Sequence, residues 1–191
     1  MAVRVVIAED EAIVRLDLKE ILQEQGYEVV GETGRGDEAV SLVKELKPDL
    51  AILDIKMPGM DGLAAAREIT SERAAAVLIL TAFSQRDLIE QARDAGALAY
   101  LVKPFQTSEL IPAIEVALGR HREVVALDAE VKNLEDALDT RRVVDRAKGI
   151  LMDKYGMKEA EAFGWIRSTA MRERVTLKVI GQRIIDGELH P

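Results

Sequence analysis

The chain has 191 residues, 48% of them hydrophobic and 31% charged, which is enough apolar material to bury one large or two small cores and excludes a mainly disordered protein. It contains no Cys and only two His, His121 and His190, so disulfide scaffolds, thiol chemistry and cysteine zinc sites are excluded and any chemistry falls to carboxylates, Lys, Thr or Ser. The formal net charge of -8 is unevenly placed: residues 1–118 carry 12 Lys+Arg against 21 Asp+Glu, residues 119–140 carry 3 against 6, and residues 141–191 carry 11 against 7, an acidic front followed by a mildly basic rear.

The first apolar run, Val3 to Ala8, is too short for a secretory h-region. Nothing in the chain approaches the roughly 18 apolar residues of a membrane span, so a soluble cytoplasmic protein with no membrane partner is expected. Further β-rich runs follow at Tyr27 to Gly31, Leu50 to Leu53, Val77 to Leu80 and Ala99 to Val102. Between them apolar residues recur at helical spacing, first Ile13, Leu16, Leu18, Ile21 and Leu22, then Ala39, Val40, Val43 and Leu46. Gly26 is placed to end the first helix in a left-handed turn, and Pro48 and Pro58 punctuate the loops around the third strand. Five strands alternating with helices predict right-handed crossovers and a two-sided parallel sheet, the flavodoxin-like doubly wound fold with strand order 2-1-3-4-5.

Function in such a sheet gathers at the carboxyl ends of the strands. Strand one ends in Glu9, Asp10 and Glu11, strand three in Asp54, strand four in Thr81 and strand five in Lys103. Any one of these is an ordinary loop residue; it is their convergence that points to chemistry. Several carboxylates at one edge repel unless a hard divalent cation and an ammonium group neutralise them, and Mg²⁺ with Lys103 would do so.

These residues resemble the receiver domain of bacterial two-component response regulators, through Glu9-Asp10, the loop from Asp54 through Lys56-Met57-Pro58-Gly59-Met60-Asp61-Gly62, Thr81-Ala82, and Tyr100 followed by Lys103-Pro104-Phe105. The resemblance implies that Asp54 is the phosphoacceptor for a phosphohistidine on a sensor histidine kinase, its ionised carboxylate acting as nucleophile. It implies Mg²⁺ held by Asp10, Asp54 and the Lys56 carbonyl, with Glu9 acting through water, and Lys103 offsetting charge on the transferring phosphoryl oxygens. Glu9 stands where Asp is more usual. Thr81 and Tyr100 resemble the family's switch pair, and Lys103-Pro104 its cis peptide. Lys56 and Phe83, two residues beyond Asp54 and Thr81, offer no carboxamide or carboxylate to orient an attacking water, so a long-lived phosphoryl group is expected. Apart from accepting a phosphoryl group and losing it slowly, the chain is expected to be a signalling regulator and not an enzyme.

No Gly/Ser/Pro-rich linker follows the receiver, which is expected to span 1–118. Residues 119–140 read as a long connecting helix in which Val124, Leu127, Val131, Leu134 and Leu138 form a heptad seam. The flanking positions pair Glu123 with Asp128 and Glu130 with Glu135, so a parallel dimer sets acid against acid. Two readings stay open: a conditional homodimer formed on phosphorylation, and ordinary packing of the stripe on the chain's own domains.

From Arg141 to the end the pattern is purely helical, a small three-helix module divided at Tyr155-Gly156 and near Arg174-Val175-Thr176, with Gly156 as a left-handed stop and Thr176 as a cap. Arg146-Ala147-Lys148-Gly149-Ile150-Leu151-Met152, Gly156-Met157, Glu161-Ala162-Phe163, Ile166, Ala170-Met171 and Thr176-Leu177 resemble the ANTAR domain, an RNA-binding antitermination module. Receiver and module in this order resemble actinobacterial phosphorylation-dependent antitermination regulators. The resemblance implies hairpin RNA as partner, since proteins read RNA sequence at exposed loops, with Arg142, Arg146, Lys148, Arg167, Lys178 and Arg183 as contacts. Trp165 could stack a base, but its spacing to Ala162 and Thr169 favours a core or partly buried role. Gly181, where a small residue such as Ala is usual, is expected to weaken the last helix by about 1 kcal/mol. Two competing functions share the receiver: a rear half that binds duplex DNA, disfavoured by the absence of helix-turn-helix spacing, and one that serves protein association alone.

Overall fold

A computed structural model describes residues 2–82 and 86–191; Phe83, the second of the residues that bear on phosphoryl lifetime, lies outside them. The chain forms two compact units, Met1–Val125 and Ala126–Pro191. In the first, β1 (Arg4–Ala8), α1 (Ala12–Glu24), β2 (Glu28–Thr33), α2 (Gly36–Leu46), β3 (Leu50–Asp54), α3 (Gly62–Ser71), β4 (Ala76–Thr81), α4 (Arg86–Asp94) and β5 (Ala99–Val102) alternate, and α5 (Thr107–Tyr155) begins. The sheet has the order β2-β1-β3-β4-β5 with parallel pairing throughout, the flavodoxin-like fold. β1, β3 and β4 are buried on both faces, which is why their sequences run apolar without alternation.

Two cores flank the sheet. One joins Val6, Leu53 and Ile79 to α2 and α3; the other joins Ile7, Ile52 and Leu78 to Leu18 and Leu22 of α1 and Leu110 and Ile114 of α5. The apolar stripe read on α1 is only half right. Leu18 and Leu22 face inward at an i,i+4 spacing, whereas Ile13 and Leu16 sit one helical face away and are 85% and 57% exposed. Gly26 takes its left-handed turn at φ +84, while α2 and α3 end through left-handed Lys47 and Arg73 without glycine.

In the second unit the end of α5 packs with α6 (Glu159–Glu173) and α7 (Leu177–Ile185) around Ala147, Leu151, Ala162, Ile166, Ile180 and Ile184. Trp165 packs half-buried against this core. Gly156 at φ +67 follows α5, and the Thr176 hydroxyl caps α7 by accepting from the Val179 amide at 3.4 Å. Gly181 has a packing reason that its helix propensity conceals: a Cβ there would come within 2.8 Å of Val143 Cγ1 on α5. Among the described residues, no helix is long and apolar enough to cross a membrane.

Candidate functional site

Parallel strands of similar length end together, and the chemistry collects where they do. Asp54 closes β3, Thr81 closes β4, Glu9 and Asp10 follow β1, and Lys103 follows β5. Glu9 and Thr81 are fully buried and Asp54 nearly so, whereas Asp10 and Lys56 are exposed. One carboxylate oxygen from each of Glu9, Asp10 and Asp54 lies within 4.8 Å of the others. The Lys103 ammonium reaches Glu9 Oε2 at 2.5 Å and Asp54 Oδ2 at 3.4 Å, so it bridges the two buried acids and sits closer to Glu9. The Lys103-Pro104 peptide is cis. Asp10, Lys56 and Asp61 line one open cleft at this edge, with Met57, Leu88 and Gln91.

Burial pushes the Glu9 carboxyl upward, Lys103 pulls it back by hydrogen bonding, and the Asp54 charge raises it again. Asp54 is likewise raised first by burial, with Lys103 and the Ile55 amide opposing and Asp10 adding to the rise. Three carboxylates against one ammonium leave an excess of negative charge in a half-dry pocket. An all-oxygen donor set of this kind fits a hard divalent cation such as Mg²⁺. Tyr100 is half-buried beside the core, and its side chain hydrogen-bonds Thr81.

Neighbouring backbone is shaped around the pocket. A Cβ on Gly62 would lie 1.8 Å from the Asp54 carbonyl oxygen, so only glycine lets α3 start so close to the end of β3, and Asp61 caps that helix by accepting from the Ala64 amide at 2.8 Å. Sequence reading missed Arg15, whose guanidinium on α1 donates to the Glu9 carbonyl and braces the acidic turn. No local signal marks it, because the contact depends on how α1 folds back.

The cations named for RNA fall into two groups. Arg142, Arg146 and Arg167 are exposed and form no close ion pair among the described residues, although Arg142 lies near enough to Asp139 to help hold that carboxyl low. Lys148 is held at 2.8 Å by both Asp145 and Glu159, Lys178 at 2.5 Å by Asp139, and Arg183 at 2.6 Å by Glu173. These carboxylates raise the Lys148 and Lys178 ammonium groups above their ordinary range. On α5, Leu127, Val131, Leu134 and Leu138 are 54–60% exposed; α6 and α7 do not cover them.

Residues 5–115 match the response regulator receiver domain family, and residues 132–185 match the ANTAR domain family. The transcriptional regulatory protein PdtaR of Mycobacterium tuberculosis is 57% identical over 183 residues, 96% of this chain and 89% of PdtaR. The chain belongs to the response regulators that carry a receiver and an ANTAR domain. Its receiver is similar to the chemotaxis protein CheY of Thermotoga maritima, 43% identical over 115 residues that cover 60% of this chain and 96% of CheY. The signal receiver domain of NarL from Mycobacterium tuberculosis superposes with a TM-score of 0.59 at 32% identity, covering 62% of this chain and 97% of that domain. As a response regulator the protein is a signalling molecule, and the pocket of Glu9, Asp10 and Asp54 is the acidic pocket at which receivers bind Mg²⁺.

Proposed function

We propose that this response regulator is phosphorylated on Asp54 by a sensor histidine kinase in the cytoplasm and then controls gene expression by binding hairpin RNA and relieving transcription termination. The reading divides the chain into a receiver over 1–118, a helical linker over 119–140 and an RNA-binding module over 141–191. The observation that carries it is the convergence of Asp54, Glu9, Asp10, Thr81 and Lys103 on one end of the sheet.

An ionised Asp54 oxygen attacks the phosphorus of the phosphohistidine; the O–P bond forms as the N–P bond breaks, and the imidazole leaves with the electron pair. Asp10, Asp54 and the Lys56 carbonyl would hold Mg²⁺, with Glu9 acting through water. Bound there, the ion supplies charge neutralisation for the phosphoryl oxygens. The Lys103 ammonium faces the same oxygens, and on transfer it exchanges part of its contact with Glu9 and Asp54 for the new phosphoryl group. The Thr81 hydroxyl turns inward to donate to the aspartyl phosphate and Tyr100 rotates into the space it vacates, which changes the outer surface of α4 and β5. Their hydrogen bond supports this pairing.

The exposed seam on α5 supports a conditional homodimer. Two modules held together engage two hairpins, and the gain is effective concentration without new contacts. Loss of the phosphoryl group is slow because the exposed Lys56 ammonium side chain lacks the carboxamide or carboxylate that would orient an attacking water.

Incubation with a small phosphodonor and Mg²⁺ is expected to add one acid-stable, base-labile phosphoryl group, and Asp54→Asn to abolish it. Labelling that persists in Asp54→Asn overturns the assignment. Titration of double-hairpin RNA against duplex DNA at two salt concentrations, with and without a phosphoryl mimic, separates RNA binding from DNA binding and from protein association alone.

A further inference from the structure

The outer side of α6 and the turn into α7 form an open groove lined by Phe163, Arg167, Met171, Arg174, Val175 and Thr176. Its floor is apolar and left in water: Phe163, Met171 and Val175 are 40%, 71% and 38% exposed. Phe163, Arg167 and Met171 follow one another at spacings of four, so a single face of α6 carries the ring and one guanidinium group. Arg174 ends α6 in a left-handed conformation at φ +58, which turns its side chain at the corner of the groove, and Thr176 opens α7 at the other rim.

The charge of the groove is its second distinguishing feature. Among the described residues no carboxylate lines it, and neither Arg167 nor Arg174 is ion-paired. Elsewhere in this unit Lys148, Lys178 and Arg183 each hold a carboxylate. An exposed aromatic ring flanked by two uncompensated guanidinium groups suits a ligand that offers a π face and negative charge together. An apolar protein side chain would use the floor but would bury both arginines without partners, which is costly.

We propose that this groove holds one unstacked base of an RNA loop, stacked on Phe163 and bordered by Met171 and Val175, with its flanking phosphates on Arg167 and Arg174. The proposal rests on the RNA-binding reading above and names the surface that reads the loop. Phe163 and Arg174 are additions to the RNA contacts named from sequence, and their contributions differ in kind: the ring contributes stacking that is insensitive to salt, and each arginine contributes a phosphate contact that is sensitive to it.

The test uses the full chain, phosphorylated, and a double-hairpin RNA selected from a pool with randomised loops by its binding to that chain. Phe163→Ala is expected to weaken binding about tenfold with the salt dependence unchanged, Phe163→Trp to restore it, and an abasic residue at one loop position to cost the parent about as much but cost Phe163→Ala nothing further. Arg174→Gln and Arg167→Gln are each expected to lower the slope of log K against log salt by about 0.7. Circular dichroism and thermal melting establish that each variant is folded. If Phe163→Ala binds the selected RNA as the parent does, or the abasic penalty is undiminished in it, the groove is not the base site although the RNA reading stands. If Phe163→Ala instead alters sedimentation and leaves RNA affinity untouched, the groove is a protein contact and the proposal fails. A pool from which no RNA is enriched overturns both readings.

Discussion

Gly181→Ala opposes two effects of known size at one atom. In an exposed helix, Ala in place of Gly gains about 1 kcal/mol of helix propensity. In α7, however, the new methyl would stand 2.8 Å from Val143 Cγ1 and 3.3 Å from the Val143 carbonyl oxygen. Valine in a helix has essentially one comfortable rotamer, so Cγ1 cannot swing aside without strain. Overpacking of this kind costs about 1–3 kcal/mol, and the expected net result is a loss of about 1 kcal/mol. In a Val143→Ala background the clashing atom is gone, and Gly181→Ala is expected to stabilise by up to about 1 kcal/mol, so the two substitutions couple favourably. Trp165 is the only tryptophan in the chain and packs against the core of the helical unit. Urea unfolding followed by its fluorescence therefore reads this unit, and midpoint shifts at constant slope give the differences. If Gly181→Ala stabilises equally in both backgrounds, the contact with Val143 is not what keeps glycine there.

Glu130→Lys and Glu135→Lys, made singly, are expected to strengthen parallel self-association and raise phosphate-independent RNA affinity, because each sets opposite charges across the seam; the double variant restores like charges and reverts toward the parent, and three monomeric variants by sedimentation would remove the dimer mechanism. The aspartyl phosphate is expected to be long-lived and Lys56→Asn to shorten its lifetime several-fold; a parent lifetime of seconds that Lys56→Asn leaves unchanged contradicts this. Tyr27 donates to Glu115 Oε1 at 2.8 Å, and burial followed by that carboxylate pushes its phenol from 10.0 up to about 12. The folded state therefore holds this proton more tightly, the stability it confers is complete below pH 10 and is lost as pH rises toward about 12, and Tyr27→Phe is expected to flatten that part of the stability profile.

The sheet was legible because β1, β3 and β4 are buried on both faces and so stand out as short apolar runs between helical patterns. The convergence of Glu9, Asp54, Thr81 and Lys103 was legible for a topological reason: once strands are parallel, their carboxyl ends share one edge. Contacts set by the third dimension were not. Helical spacing alone could not say that Ile13 and Leu16 turn outward while Leu18 and Leu22 turn in. Neither the nearness of Lys103 to Glu9 nor the brace from Arg15 has a sequence signal, since each joins residues on different elements. Gly181 is the sharpest case: propensity marks it as a weakness of α7, and packing makes it the residue that lets α7 approach α5.

The pairing of half the named cations bears on how the helical unit would engage RNA. For Lys148, Lys178 and Arg183, a phosphate must displace Asp145 and Glu159, Asp139 and Glu173 respectively. Exchange of one ion pair for another at a partly exposed cation changes free energy little, so these residues add less than their charges suggest. The electrostatic share then falls mainly to Arg142, Arg146 and Arg167, joined on the groove reading by Arg174. Four phosphate contacts to a single-stranded loop correspond to a salt slope of about -3 for one module. So few phosphate contacts leave a single module only a small electrostatic share of affinity, and the front of the chain, with 21 Asp+Glu against 12 Lys+Arg, works against any long-range attraction of a polyanion. A single module therefore gains most from being tethered to a second. Control of the α5 seam would then be control of RNA occupancy, with no change required in the RNA-facing residues themselves.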